Sequence, residues 1–247
     1  MKLTLKFSKI RLLETGEGSG SWNMGLDQAL MSTVDDFIPV LRLYGWKPSA
    51  VSIGYFQSLE QEVDVKKCED LGIDVVRRIT GGGAVLHEQE LTYSFITKIF
   101  PANIRESYKS ICGPVVMCIK KLGFDAKFSP INDIIVKNKK VSGNAQTRRN
   151  NVLLQHGTIL LDIDIDKMFS VLKVPSEKIK DKAIQDVKER VMGLKVCFEE
   201  AANQLWQSFG EIFEAEVFRD RVRADEIIEA KIMQNYKYST YGWNYKR

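Results

Sequence analysis

The sequence predicts an α+β fold, a mixed β-sheet flanked by helices, and three observations predict it. Short β-branched and aromatic runs recur through the first 160 residues, amphipathic stretches of 3.6-residue period interrupt them, and the chain turns helical after Asp162. With 247 residues, 44% of them hydrophobic, the chain can bury a sizeable core as one domain, residues 1–247, whose C-terminal part from about residue 166 is helical.

Taken in order, a short opening strand precedes a helix that Ser21 can cap, with Trp22, Leu26, Ala29 and Leu30 on one face. Residues 40–44 and 50–55 are short and apolar, broken by Gly45, Pro48 and Gly54, and predict a hairpin-like strand pair. Strands continue at 73–78 and 91–97. Residues 104–122 read as a long helix, because Ile104, Tyr108, Ile111, Val115, Cys118, Ile119 and Leu122 follow the helical period. Strands at 131–136 and 152–161 flank a polar connection carrying Lys139, Lys140, Gly143, Arg148 and Arg149. Helices are expected at 166–172, 176–189, 197–209 and 223–234, with no internal repeat or low-complexity linker.

Charge narrows the function. The 36 Lys and Arg against 32 Asp and Glu leave +4, and the cations are scattered, which argues against nucleic acid as a partner. An acidic protein facing a local basic patch stays open. No apolar run is long enough to span a bilayer and none follows the N-terminus, so the expectation is a cytoplasmic protein with no membrane contact and reduced thiols. Cys68, Cys112, Cys118 and Cys197 match no zinc spacing, and with only two histidines a structural metal is not expected.

Three segments carry chemistry. In RRITGGGAVLH, residues 77–87, three glycines after a strand let the backbone approach a phosphate, and Arg78 supplies a forked charged donor. The loop has neither the Gly-Lys-Ser/Thr of a Walker loop nor GxGxxG spacing, and the same glycines suit a plain tight turn. In NDIIVKNKKVSGNAQ, residues 132–146, a lysine beside a small-residue turn can sit between two anions. Activating a carboxylic acid with ATP needs that, because the attacking carboxylate and the α-phosphate repel, and a fixed cation with Mg²⁺ offsets the repulsion. Alone, Lys139-Lys140 also reads as an exposed hairpin turn. In LQHGTILLD, residues 154–162, an apolar strand carries His156, which is either a core histidine or a ligand contact. Such a strand suits the wall of an acyl-chain site, where burial contributes ~0.8 kcal/mol per methylene.

Together and in this order, the three segments resemble the signature blocks of the lipoate-protein ligase A family, within the lipoyl, octanoyl and biotinyl transferase superfamily. The similarity runs from SWNMGLDQAL at 21–30 to YSTYGWNYKR at 238–247. The resemblance implies a mixed-sheet α+β domain with its active site in a cleft over the sheet. It implies that Arg78 holds phosphates, that Gly83, Ala84, Val85 and Leu86 line the adenylate, and that Lys140 bridges the acyl carbonyl and α-phosphate as the catalytic residue. Asn132 and Asp133 would shape the nucleotide side, with Gly143 and Ala145, while Gly82, His87, Lys140 and His156 would border lipoate. Lipoate and ATP, with Mg²⁺, would give lipoyl-AMP, and a lysine of a lipoyl domain would displace AMP. The implied acceptors are 2-oxoacid dehydrogenase E2 subunits and the glycine-cleavage H protein.

The rival within the superfamily is an octanoyltransferase, which moves octanoate from acyl carrier protein through a cysteine thioester. Relatives of that type carry the cysteine just before the Lys-containing turn or shortly beyond the histidine strand. Here no cysteine occurs between Cys118 and Cys197, which favours the ligase. Many single-chain ligases have an accessory C-terminal domain, absent from this sequence, so a separate small accessory ligase subunit is expected as a partner.

Overall fold

The computed structural model describes residues 5–173 and 180–247, and among them eleven strands divide between two sheets. The order along the chain is β1 (Lys9–Gly18), α1 (Gly20–Thr33), β2 (Val40–Trp46), β3 (Ala50–Ile53), α2 (Leu59–Glu62), α3 (Val65–Asp70), β4 (Asp74–Arg77), β5 (Val85–His87) and β6 (Glu90–Thr97). There follow α4 (Ile104–Lys121), β7 (Ala126–Ser129), β8 (Asp133–Val136), β9 (Lys139–Arg149), β10 (Val152–Leu160), α5 (Ile165–Val171), α6 (Lys180–Arg190) and α7 (Phe198–Phe213). The chain ends through β11 (Glu216–Asp220), α8 (Ala224–Met233), a π-helical turn at Gln234–Tyr238 and α9 (Tyr241–Asn244).

The large sheet runs β11-β1-β2-β6-β10-β9-β8-β7, and the small one β4-β3-β5. Pairing is parallel at β11-β1-β2 and antiparallel from β2 onward, so the α+β, mixed-sheet expectation holds. On one face of the large sheet α4 and α7 bury Ile111, Val115 and Leu205 against a cluster of Phe7, Phe95, Phe209 and Phe213. Leu26, Ala29 and Leu30 of α1 cover the other face, over Tyr44, Ile96 and Leu154, with Ala230 of α8 packed alongside. Val51, Ile53, Val63 and Cys68 form a third cluster under the small sheet.

Several local expectations are corrected. Helix α1 starts at Gly20, because Ser19 is the extended residue whose Oγ accepts from Trp22 N at 3.2 Å, so Ser21 lies inside the first turn. Residues 40–44 and 50–55 do not pair. Strand β2 is buried along its whole length between β1 and β6, leaving no free edge, and the chain crosses at Pro48 into the second sheet. The polar connection around Lys140 is strand β9, whose Val141, Ser142 and Asn144 are buried. The helical C-terminal part is interrupted by β11, which pairs in parallel with β1 from Lys9↔Glu216 to Leu13↔Asp220. Of the helix expected at 176–189, residues 176–179 lie outside the described residues and the remainder falls in α6. No helix among the described residues is long and apolar enough to cross a membrane.

Candidate active site

A cavity of about 510 Å³ is lined by residues of both sheets and by α5 and α6. Of the residues singled out in the sequence, Arg78, Gly82, Gly83, Ala84, Val85, Leu86, His87, Asn132, Lys140, Gly143, Ala145 and His156 all line it. Asp133 does not, but its carboxylate faces Lys140, with Lys140 Nζ 2.7 Å from Asp133 Oδ1. Oδ1 is a buried atom without a hydrogen-bond donor, so the Lys140 ammonium is what compensates its charge. Gly143 stands directly across from Asp133 in the ladder, and a Cβ there would lie 2.8 Å from Lys140 Cε. The missing side chain makes the trough along which Lys140 lies. Asn132 and Asn144 close the strand pair beside it: each amide donates to the other's backbone carbonyl, and Asn144 Oδ1 accepts from Tyr93 OH at 2.6 Å.

The glycine loop between β4 and β5 is folded around Arg78. Its terminal nitrogens donate to Ser52 O at 3.0 Å, Ser52 Oγ at 3.1 Å, Gly81 O at 2.8 Å and Gly83 O at 2.7 Å. These bonds show how the loop holds its shape: the guanidinium gathers the glycine carbonyls, and direct contact of its terminal nitrogens with a phosphate requires one of those carbonyls to be exchanged. Burial pushes the guanidinium pKa down to about 10, still charged at neutral pH. Among the described residues no carboxylate pairs with it, so the cavity wall carries a buried positive charge without a counter-ion. An anionic ligand would neutralise it.

Gly82 adopts φ +98°, and a Cβ on Gly54 would meet Gly82 O at 2.0 Å, so two backbones touch here with no side chain able to give way. Gly54→Ala is therefore expected to lower stability by roughly 1–3 kcal/mol and to weaken ligand binding in the cavity. Thermal unfolding with ligand titration checks this; wild-type stability in the variant would mean the loop has room to spare.

Both histidines are locked in relays. His87 Nδ1 lies 2.6 Å from Glu90 Oε1 and its Nε2 lies 2.7 Å from Ser52 Oγ, while Trp46 stacks on the ring at 4.1 Å. His156 Nε2 is 2.7 Å from Thr80 Oγ1 in the glycine loop, and its Nδ1 faces Asp27 Oδ2 at 3.4 Å. Burial holds the His156 pKa below its ordinary value, against the pull of Asp27. Asp27 also takes Arg42 NH1 at 2.7 Å and Ser94 Oγ at 2.7 Å, so a buried ion pair stands under the loop.

The apolar wall was not foreseen in full. Besides Leu160 of β10 it uses Met168, Phe169 and Leu172 near α5 and Val187 and Val191 near α6. Residues Met168, Phe169 and Leu172 follow helical spacing, but an inward stripe reads the same whether it packs on a core or walls a cavity.

The thiols lie elsewhere. All four cysteines are among the described residues and none lines the cavity. Burial pushes Cys112 and Cys118 up to about 12 and Cys68 up to about 11, far from thiolate chemistry. Cys197 caps α7, its Sγ accepting from Glu200 N.

The family described as lipoyl protein ligase A/B catalytic domain matches residues 19–214. Octanoyltransferase LipM of Kyrpidia tusciae is 36% identical, the match covering 96% of this chain and 98% of that protein. Among solved structures, the bipartite lipoate protein ligase of Thermoplasma acidophilum superposes with a TM-score of 0.89 at 32% identity, over 97% of this chain and 96% of that one. A lipoate-protein ligase A bound with ATP gives 0.84 at 31%, over 96% and 98%, and the Thermoplasma acidophilum protein Ta0514 with bound lipoic acid gives 0.81 at 30%, over 96% and 99%.

Proposed function

The chain belongs to the lipoyl protein ligase A/B catalytic domain family, and from that membership we propose that it joins lipoate to an acceptor lysine through an acyl-adenylate. The observation that carries this reading is the placement of the thiols. A thioester route needs a thiolate within reach of the acyl group. None of the four cysteines lines the cavity, whereas Arg78 and Lys140, two cations suited to phosphate and carboxylate oxygens, both do.

In the first step the lipoate carboxylate attacks the α-phosphorus of ATP and pyrophosphate leaves. Lys140 Nζ sits between the two anions and lowers their repulsion, and the buried charge of Arg78 raises the positive potential over the glycine loop. The backbone from Gly82 to Leu86 cradles the adenylate, with Asn132, Gly143 and Ala145 along its other side. Among the described residues no cluster of three metal-ligating side chains exists, yet Mg²⁺ is commonly held by one carboxylate and substrate phosphates. The Asp133 carboxylate, whose Oδ1 accepts no hydrogen bond, would hold such an ion if Lys140 turned from it to the substrate, and the ion would supply further neutralisation of phosphate charge. In the second step the acceptor amine attacks the acyl carbon, AMP leaves, and Lys140 stabilises the oxyanion. The acyl chain lies against Leu160, Met168, Phe169 and Leu172, with His87 and His156 at its border. Lipoyl-domain acceptors and a separate small accessory subunit fit the likeness to a bipartite ligase whose structure includes an E2 lipoyl domain.

A second reading is favoured by the name of the relative at 36% identity: octanoyl transfer from acyl carrier protein without ATP. The comparisons by name side with it more than with the ligase. Three donors separate the two: lipoate with ATP and Mg²⁺, preformed lipoyl-AMP, and octanoyl-acyl carrier protein, each with a lipoyl domain whose mass is followed. Modification from lipoyl-AMP, with or without efficient use of ATP, is the expected result. Modification by octanoyl-acyl carrier protein alone would overturn the adenylate route.

A further inference from the structure

Four separate stretches of chain bring cations onto one aromatic shelf beside the glycine loop. Tyr55 N donates to Thr80 O at 2.8 Å, so the shelf begins on the loop's own backbone. Trp243 packs against Tyr55 with ring centroids 5.9 Å apart and donates its indole N–H to Arg77 O at 2.8 Å. Over these rings lie Lys246 Nζ, 3.6 Å from both centroids, and Lys237 Nζ, 4.0 Å from that of Trp243. Arg149, at the β9–β10 turn, stands 5.3 Å from the Tyr55 ring. The Arg77 guanidinium is buried beneath, donating to backbone carbonyls such as those of Gln57 and Asn244.

What distinguishes this surface is that its cations cluster without a counter-charge. Lys6 pairs with Glu214 and Lys98 with Asp36, whereas Lys237 Nζ donates to the neutral Gln28 Oε1 at 2.6 Å. Here, among the described residues, the charged neighbours of Lys237 are Arg149 and Lys246, and those of Lys246 are Arg77, Arg149 and Arg247. Burial and these like charges push both ammonium groups down to about 8. Cations gathered without anions are destabilising unless a partner brings negative charge. The aromatic faces are already covered by ammonium groups, which leaves them unavailable for stacking nucleobases. Carboxylates can still reach the cations from outside.

We infer that the shelf formed by Tyr55, Trp243, Arg149, Lys237 and Lys246 docks a carboxylate-rich surface of the acceptor protein, beside the cavity in which its lysine is acylated. The inference rests on the acyl-transfer reading above, and it deepens that reading by naming how the acceptor is recognised.

The test is a titration of the full chain with an acidic apo lipoyl domain at low and moderate salt. It compares the wild type with Arg149→Ala/Lys237→Ala/Lys246→Ala and with the charge-conserving Arg149→Lys/Lys237→Arg/Lys246→Arg. Adenylate formation without acceptor is read in parallel. The alanine variant should bind at least tenfold more weakly and lose most of the salt dependence, the charge-conserving variant should bind like the wild type, and adenylate formation should be unchanged in both. The docking site is overturned if the wild type does not bind the domain, if the alanine variant binds within twofold of it, or if the charge-conserving variant is equally impaired. Tighter binding of a single-stranded RNA oligonucleotide than of the domain would also overturn it. Intact docking with no adenylate formed would sink the adenylate route and leave the docking surface standing.

Discussion

Lys140→Ala should lower acylation of the acceptor by about 10²–10³-fold, or roughly 2.7–4 kcal/mol of transition-state stabilisation, with little change in folding stability. The separation of the two effects follows from where the residue sits. Its side chain is 40% exposed and its ion-pair partner Asp133 36% exposed, so the fold depends little on the pair. The chemistry depends on the ammonium as a point charge at one place. On the adenylate route proposed above, it would stand between two anions in adenylation and face the carbonyl oxygen in transfer as charge develops there. Both half-reactions should fall together, measured as pyrophosphate release from lipoate and ATP and as acceptor acylation from preformed lipoyl-AMP. Lys140→Arg should restore little, because a planar guanidinium spreads the charge that the compact ammonium places at one point. A variant that lost only the first half-reaction would confine Lys140 to activation, and one that kept both would remove it from the mechanism.

The candidate site was legible from three segments taken together, since each alone also suited a tight turn, an exposed hairpin or a core histidine. Three glycines behind Arg78, a lysine before Ser142-Gly143 and a histidine in an apolar strand each limit what the backbone or a charge can do there, and all three segments do meet at one cavity. Two things could not be read. The partners of Arg78 are carbonyls of its own loop and of Ser52, a pairing that depends on a fold-back no spacing encodes. The apolar wall from Met168 to Val191 uses the same side chains as a core. The fold was legible in its long elements and failed in its polar ones. Strand β9 hides its register because its cavity-facing positions are Lys, Gly, Asn and Ala instead of an alternating apolar set. Strand β11 sits at the sheet edge with Glu, Arg and Asp among five residues, and only its pairing with β1 makes it a strand.

The largest stability effect is expected where no motif pointed. Asp27 and Arg42 lie 15 residues apart and form an ion pair with both side chains almost fully buried, at 2% and 0% exposure. Burial alone would raise the Asp27 pKa; the Arg42 guanidinium, with His156 and Ser94, outweighs it and holds the carboxyl below 3.8. Asp27→Ala leaves Arg42 charged and buried with only Asn23 and Thr15 as acceptors, which costs about 3–5 kcal/mol. Urea unfolding at neutral pH reads this directly, and a loss below about 1 kcal/mol would mean that those acceptors, or water, suffice. The pH dependence has a definite sign. His156 is held below 6.5 in the fold, so in acid the unfolded chain takes up a proton that the folded chain resists, and stability should fall as pH drops below 6.5. The Asp27 contribution persists further, being fully present above 3.8 and lost as pH falls through its lower folded value. Wild-type unfolding free energy that stayed flat from pH 7.5 to 5 would contradict a buried neutral His156. The same pair reaches the chemistry, since Asp27 orients His156 and His156 holds Thr80 at the base of the glycine loop. Asp27→Ala protein rescued by low temperature should therefore still bind nucleotide poorly, whereas a purely structural pair would let binding recover with the fold.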